Sequence, residues 1–86
     1  MTDVVLLTQS ACELCDHAQE ILRGLANEFD LAIRELSFDS TEGRALATQY
    51  RLLFAPGVLI DGAAFSHGRL SERKLRRELS RRSASL

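Results

Sequence analysis

Val4-Val5-Leu6-Leu7-Thr8-Gln9-Ser10-Ala11-Cys12-Glu13-Leu14-Cys15 joins an apolar run to a closely spaced pair of cysteines. Its opening is a short apolar run, β-branched at the start, which suits a strand buried on both faces. Polar Thr8, Gln9 and Ser10 then close the run. Beyond the cysteines, Leu14, Ala18, Ile21, Leu22, Leu25 and Phe29 recur at helical spacing and form one stripe of an amphipathic helix. Gly24 weakens that helix slightly, and Asn27 with Asp30 marks its end. Both cysteines therefore fall where a buried strand passes into a helix.

In that place their spacing has a chemical meaning. On adjacent helical turns, residues three apart hold their Cβ atoms about 5–6 Å from each other. A disulfide needs about 3.8 Å. With Cys12 at the N-cap, where the backbone is still adjustable, the gap closes. The positive end of the helix and its unpaired N–H groups favour a thiolate at Cys12. Cys15, one turn further and facing the core, is expected to be shielded. The expectation is that Cys12 attacks a substrate disulfide and Cys15 resolves the mixed disulfide. Glu13 and Asp16 lie in the same first turn; they favour the helix, and they also oppose charge on the Cys12 sulfur.

Outward from this unit, residues 31–38 read as a second strand, with Leu31 and Ile33 on one face and Leu36 and Phe38 shifted to the other. A bend or bulge near Glu35 would explain the shift. Asp39-Ser40-Thr41-Glu42 has the pattern of a helix N-cap, with Glu three residues after Asp. The helix it opens is expected to reach about Tyr50 and to bury Ala45, Leu46 and Tyr50. Val58-Leu59-Ile60 is a third strand, and Asp61-Gly62 signals a type I′ hairpin, whose two central residues both need positive φ. Ala63-Ala64-Phe65-Ser66 is its antiparallel partner. Ser71 caps a last helix that buries Leu75 and Leu79, with Leu70 packing just before it, and the tail of residues 83–86 is expected to fray. The order β-α-β-α-β-β-α gives an α/β fold. Its β-α-β unit requires parallel strands and its hairpin requires antiparallel ones, so the expected sheet is mixed and four-stranded, with helices on both faces.

The 86 residues are expected to form one domain, residues 1–86. Two cysteines are too few for a secreted disulfide scaffold, and a bridge across two residues clamps no distant segments. The N-terminus lacks a basic region and a long apolar run, so a soluble, cytoplasmic protein without a membrane segment is expected. A net charge of −1 argues against a protein dominated by nucleic-acid binding. The charge is uneven, however. Residues 69–82 carry Arg69, Arg73, Lys74, Arg76, Arg77, Arg81 and Arg82 against Glu72 and Glu78. That pattern fits one buried and one solvated helix face, or a docking surface for an acidic protein. No aromatic side chains interleave with the charges, as a nucleic-acid groove would want.

Pro56, the one proline of the chain, stands in Phe54-Ala55-Pro56-Gly57, directly before the third strand. With the strand–CxxC–helix opening, the Asp-Gly hairpin and the closing helix, it completes a pattern that resembles the glutaredoxin and thioredoxin-like superfamily over nearly the whole chain. The resemblance implies a thioredoxin-like fold of the glutaredoxin type and thiol–disulfide oxidoreductase activity. It implies a cis Pro56 packed against the Cys12–Cys15 site, with the backbone of Ala55 pairing with an incoming substrate like an added strand. Gly57 would shape the same groove. Gln9 occupies the place of the basic residue that commonly meets the glutathione carboxylate, and Ala11 the place of the tryptophan of thioredoxins. Glu13-Leu14 replaces the usual Pro-Tyr, Phe54-Ala55-Pro56 the usual Thr-Val-Pro, and Ser66-His67-Gly68-Arg69 the Gly-Gly-acidic segment.

The implied partners are a disulfide-bearing protein or a low-molecular-weight thiol as substrate, with a reductase or glutathione as reductant, acting on a monomer. No resident cofactor or metal is expected. The alternative is a thioredoxin-fold binding module that uses the cysteines as metal or iron–sulfur ligands, or for docking a partner. His17 and His67 are the only histidines. His17 follows Cys15 too closely along the helix for a good zinc set and is expected in solvent, and His67 is expected to shape the start of the last helix.

Overall fold

The structure, a computed structural model, describes residues 1–84. Among these, β1 (Thr2–Thr8), α1 (Glu13–Leu25), β2 (Leu31–Ser37), α2 (Thr41–Tyr50), β3 (Gly57–Ile60), β4 (Ala63–His67) and α3 (Glu72–Ala84) follow in the expected order. The strands form one sheet in the order β2-β1-β3-β4. β1 runs parallel to β2, while β3 is antiparallel to both β1 and β4. This is the thioredoxin-like α/β arrangement.

Alternation along β1 explains the two layers. Val4 and Leu6 point to one face and pack with Ala18, Ile21, Leu22 and Leu25 of α1 and Leu75 and Leu79 of α3. Leu7 points to the other face, where Leu52 and Leu59 join it and Leu46, Ala47 and Tyr50 of α2 lie over them. β3 is buried along its whole length because it is covered on both faces. Leu75 and Leu79 are 0% and 1% exposed, although their helix is otherwise strongly charged. Burying such a side chain contributes about 1.5–3 kcal/mol, so Leu75 and Leu79, with Leu70 just ahead of the helix, are the apolar contacts that seat α3.

Several local expectations are corrected. β2 pairs with β1 residue for residue through Glu35, without a bulge. The apparent phase shift arises because β2 is an edge strand whose two faces are covered at different ends. Leu31 packs under the α1–α3 layer and Leu36 under α2, while Ile33 remains 38% exposed. The N-cap of α2 is Ser40, not Asp39: its Oγ accepts the Gly43 N–H at 3.0 Å, and Glu42 pairs with Arg34 at 2.9 Å instead of closing a capping box. Ala45 is exposed; Gly43 is the buried residue of α2, with Ala47 packed against the core. Ser83 and Ala84 remain helical, and the rest of the expected frayed tail lies outside the described residues.

The hairpin has the predicted geometry, with Asp61 at φ 48° and Gly62 at φ 79°. Ser71 caps α3, its Oγ accepting the Lys74 N–H at 3.2 Å. No helix among the described residues is long and apolar enough to cross a membrane.

Candidate dithiol site

Cys12 is the N-cap residue of α1, with extended backbone at φ −122° and ψ 103°. It is reached through Ala11, which is exposed and left-handed at φ 53°. That turn brings the chain from the end of β1 onto the helix axis, and Gln9 lies exposed at its start. The Cys12 Sγ accepts the backbone N–H of Cys15 at 3.1 Å, filling the place that a serine or aspartate oxygen takes at an ordinary cap. Cys12 and Cys15 are joined as a disulfide with Cα atoms 5.2 Å apart, inside the range such a bridge allows. The extended cap closes the gap that two fully helical positions would leave.

The two sulfurs are unequally placed. Cys12 is half-buried, whereas Cys15 is 2% exposed on the buried stripe of α1. Once the bridge is reduced, the Cys15 N–H and the positive end of α1 face the Cys12 sulfur, and a charge-assisted hydrogen bond favours its thiolate. Glu13 and Asp16 occupy the first turn and are exposed to solvent, which weakens their opposition.

Pro56 follows a cis peptide bond and is buried. Sheet topology brings it to the cysteine end of the molecule. Gly57, which follows it, pairs with Leu7 near the end of β1, four residues before the Ala11–Cys12 step. Ala55 is half-buried, and ahead of it Leu53 and Phe54 are 71% and 63% exposed. These two large apolar side chains, open to water directly ahead of Ala55-Pro56 in the chain, are not among the site residues expected from the sequence. The signal was there in the run Leu52-Leu53-Phe54, which has no strand or helix period, so that only Leu52 turns inward.

His17 is exposed, as expected. His67 does not serve α3. Its Nδ1 accepts the Leu53 N–H at 2.8 Å, and its ring lies 5.7 Å from that of Phe54. Among the described residues no three His, Cys, Asp or Glu side chains gather as a metal site. Away from the cysteines, Arg76 holds Glu28, beyond the far end of α1, below the usual carboxylate range, and Arg81 with Arg82 does the same for Glu78.

The sequence profile of the glutaredoxin-like domain (DUF836) matches residues 3–80. No curated protein sequence matches. Among solved structures, a mutant thioredoxin from Halobacterium salinarum is similar at TM-score 0.73 and 21% identity, over 93% of this chain and 73% of that one. Thioredoxin O2 from Arabidopsis thaliana, in its oxidized state, is similar at TM-score 0.72 and 14% identity, over 94% and 74% of the two chains. A malarial protein reaches TM-score 0.72 at 11% identity, over 94% and 96%. Those structures share the fold with this chain, and the profile covers nearly all of it: the chain belongs to the glutaredoxin-like domain family.

Proposed function

We propose that the protein is a dithiol thiol–disulfide oxidoreductase or electron carrier, with Cys12 as nucleophile and Cys15 as resolving residue. The observation that carries this reading is the asymmetry of the pair: a half-buried sulfur at the helix cap facing the Cys15 N–H, and a shielded sulfur one turn in. The Cys12 thiolate attacks one sulfur of a substrate disulfide, forms a mixed disulfide and releases the other substrate sulfur as a thiolate, which takes a proton from water. Cys15 then loses its proton to water and attacks the Cys12 sulfur. The Cys12–Cys15 bond forms, the substrate's second sulfur leaves, and two electrons have passed from protein to substrate. A thiol reductant or a reductase returns them.

Ala55, Pro56 and Gly57 form the substrate-facing edge in this reading, with Ala55 offering backbone to an extended segment. Exposed Leu53 and Phe54 suit a protein disulfide flanked by apolar residues better than a small charged thiol. Gln9 supplies no positive charge for a glutathione carboxylate, so glutathione lacks that anchor whether it acts as substrate or as reductant. The protein works in this reading as a cytoplasmic monomer without a resident cofactor.

The test is turnover. With dithiothreitol as the electron source, the protein is expected to accelerate reduction of insulin disulfides, and Cys12→Ser to abolish the acceleration. Equal background rates with and without the wild-type protein, across protein and glutathione mixed disulfides, would remove the enzymatic reading.

A further inference from the structure

The geometry points to His67 as the positioning residue that holds the loop ahead of Pro56 in its substrate-facing shape, an inference that rests on the disulfide-exchange reading above. Residues 51–56 join α2 to β3 and carry the exposed pair Leu53 and Phe54 together with Ala55 and Pro56. Leu52 anchors one end: it is buried, and its N–H donates to the Ala47 carbonyl at 2.9 Å. Buried Pro56 anchors the other end; between the two anchors Leu53 and Phe54 present their side chains to water, so burial does little to fix that stretch, and hydrogen bonds must.

Those bonds come from the end of β4. His67 stands opposite Gly57 in the β3–β4 ladder, which sets its imidazole beside the loop. Its Nδ1 accepts the Leu53 N–H at 2.8 Å, across fourteen positions of sequence. The ring tilts 41° against that of Phe54. Gly68, at φ 83°, turns its N–H back to the Pro56 carbonyl at 2.9 Å, with the Phe54 carbonyl at 3.4 Å. His67 and Gly68 thus grip the loop from both sides of the Ala55–Pro56 step. Gly68 does so through backbone, which any residue has. Among the described residues the side-chain hydrogen bond to the loop comes from His67.

The acceptor role defines the chemistry required. Nδ1 accepts only when it carries no proton, so the ring proton resides on Nε2. An asparagine carboxamide oxygen sits the same number of bonds from the backbone as Nδ1 and accepts equally well. Leucine keeps bulk and loses the acceptor, and glutamine moves its oxygen one carbon further out.

The experiment compares His67→Leu, His67→Gln and His67→Asn with the wild type by three readouts. Amide hydrogen exchange at Leu53 and Phe54 reads loop order without turnover; iodoacetamide alkylation of reduced Cys12 reads thiol reactivity without docking; insulin reduction reads both together. For His67→Leu, Leu53 exchange is expected to quicken and Cys12 alkylation to stay within about twofold, while kcat/KM falls about tenfold, mainly through KM, the rate equivalent of losing one hydrogen bond. His67→Gln should behave similarly, and His67→Asn should recover to within about twofold.

Unchanged Leu53 exchange in folded His67→Leu or His67→Gln would overturn the inference. So would a His67→Asn protein as impaired as His67→Leu at the same melting temperature, since the acceptor would then not be what matters. If the wild type itself reduces no disulfide, the exchange-chemistry reading fails, and the positioning of a substrate loop fails with it. If the wild type turns over and the variants do not differ from it, only the assignment of His67 fails.

Discussion

The Cys12 sulfur accepts the Cys15 N–H and so caps α1; under the proposed function the same donor would meet the thiolate once the bridge is reduced. Two glycines serve opposite ends. Gly43 lies where α2 crosses the end of β2, and a Cβ there would collide with the Ser37 carbonyl oxygen. Gly24 lies in α1 with nothing within 4 Å of where a Cβ would stand. Opposite outcomes follow for one substitution. Gly43→Ala is expected to destabilise by about 1–3 kcal/mol through backbone displacement, and Gly24→Ala to stabilise by about 0.5–1 kcal/mol through helix propensity. Urea unfolding of the two variants checks the contrast, and equal shifts would contradict the packing described for Gly43.

Helix α3 is attached by a narrow stripe and a few ion pairs. Leu75 and Leu79 seat it, Arg76 reaches Glu28 beyond α1 as well as Glu72 in its own helix, and Arg82 reaches Asp61 in the hairpin at 2.9 Å. Arg76 holds the Glu28 carboxyl below its usual value of 4.5, first through its hydrogen bond and less through charge alone. A depressed folded-state value means that the pair's contribution is complete above the unfolded carboxylate's titration and is lost as pH falls through the folded one. Arg76→Gln is therefore expected to lose less stability than the wild type between about pH 6 and about pH 3. Both partners are solvated, so the difference should be small and shrink further in high salt. Urea midpoints at the two pH values check it; an identical acid dependence would show that the contact does not persist in solution.

Across the fold, the parts legible in the sequence are those written in short-range periods. The run Val4-Val5-Leu6-Leu7, the stripe from Ala18 to Leu25 and the Asp61-Gly62 turn each announce their own geometry, and together they leave little choice of topology. The cysteine pair was legible for the same reason, since its place between strand and helix gives its spacing a meaning. What stayed hidden depends on neighbours far along the chain. Ala45 looks as apolar as Ala47, and only the sheet beneath α2 decides which is covered. Glu35 suggested a bulge because sequence does not say that β2 is an edge. His67 gave no local sign that it would receive the Leu53 N–H.

Division of labour between the two sulfurs is open to covalent trapping. A Cys15→Ser protein, reduced, freed of reductant and mixed with a model protein disulfide, is expected to accumulate a one-to-one mixed disulfide that peptide mapping places at Cys12. Cys12→Ser, treated in the same way, should form little adduct, because Cys15 is buried. Equal trapping at either cysteine, or none at Cys12, would rule out Cys12 as the attacking and Cys15 as the resolving sulfur.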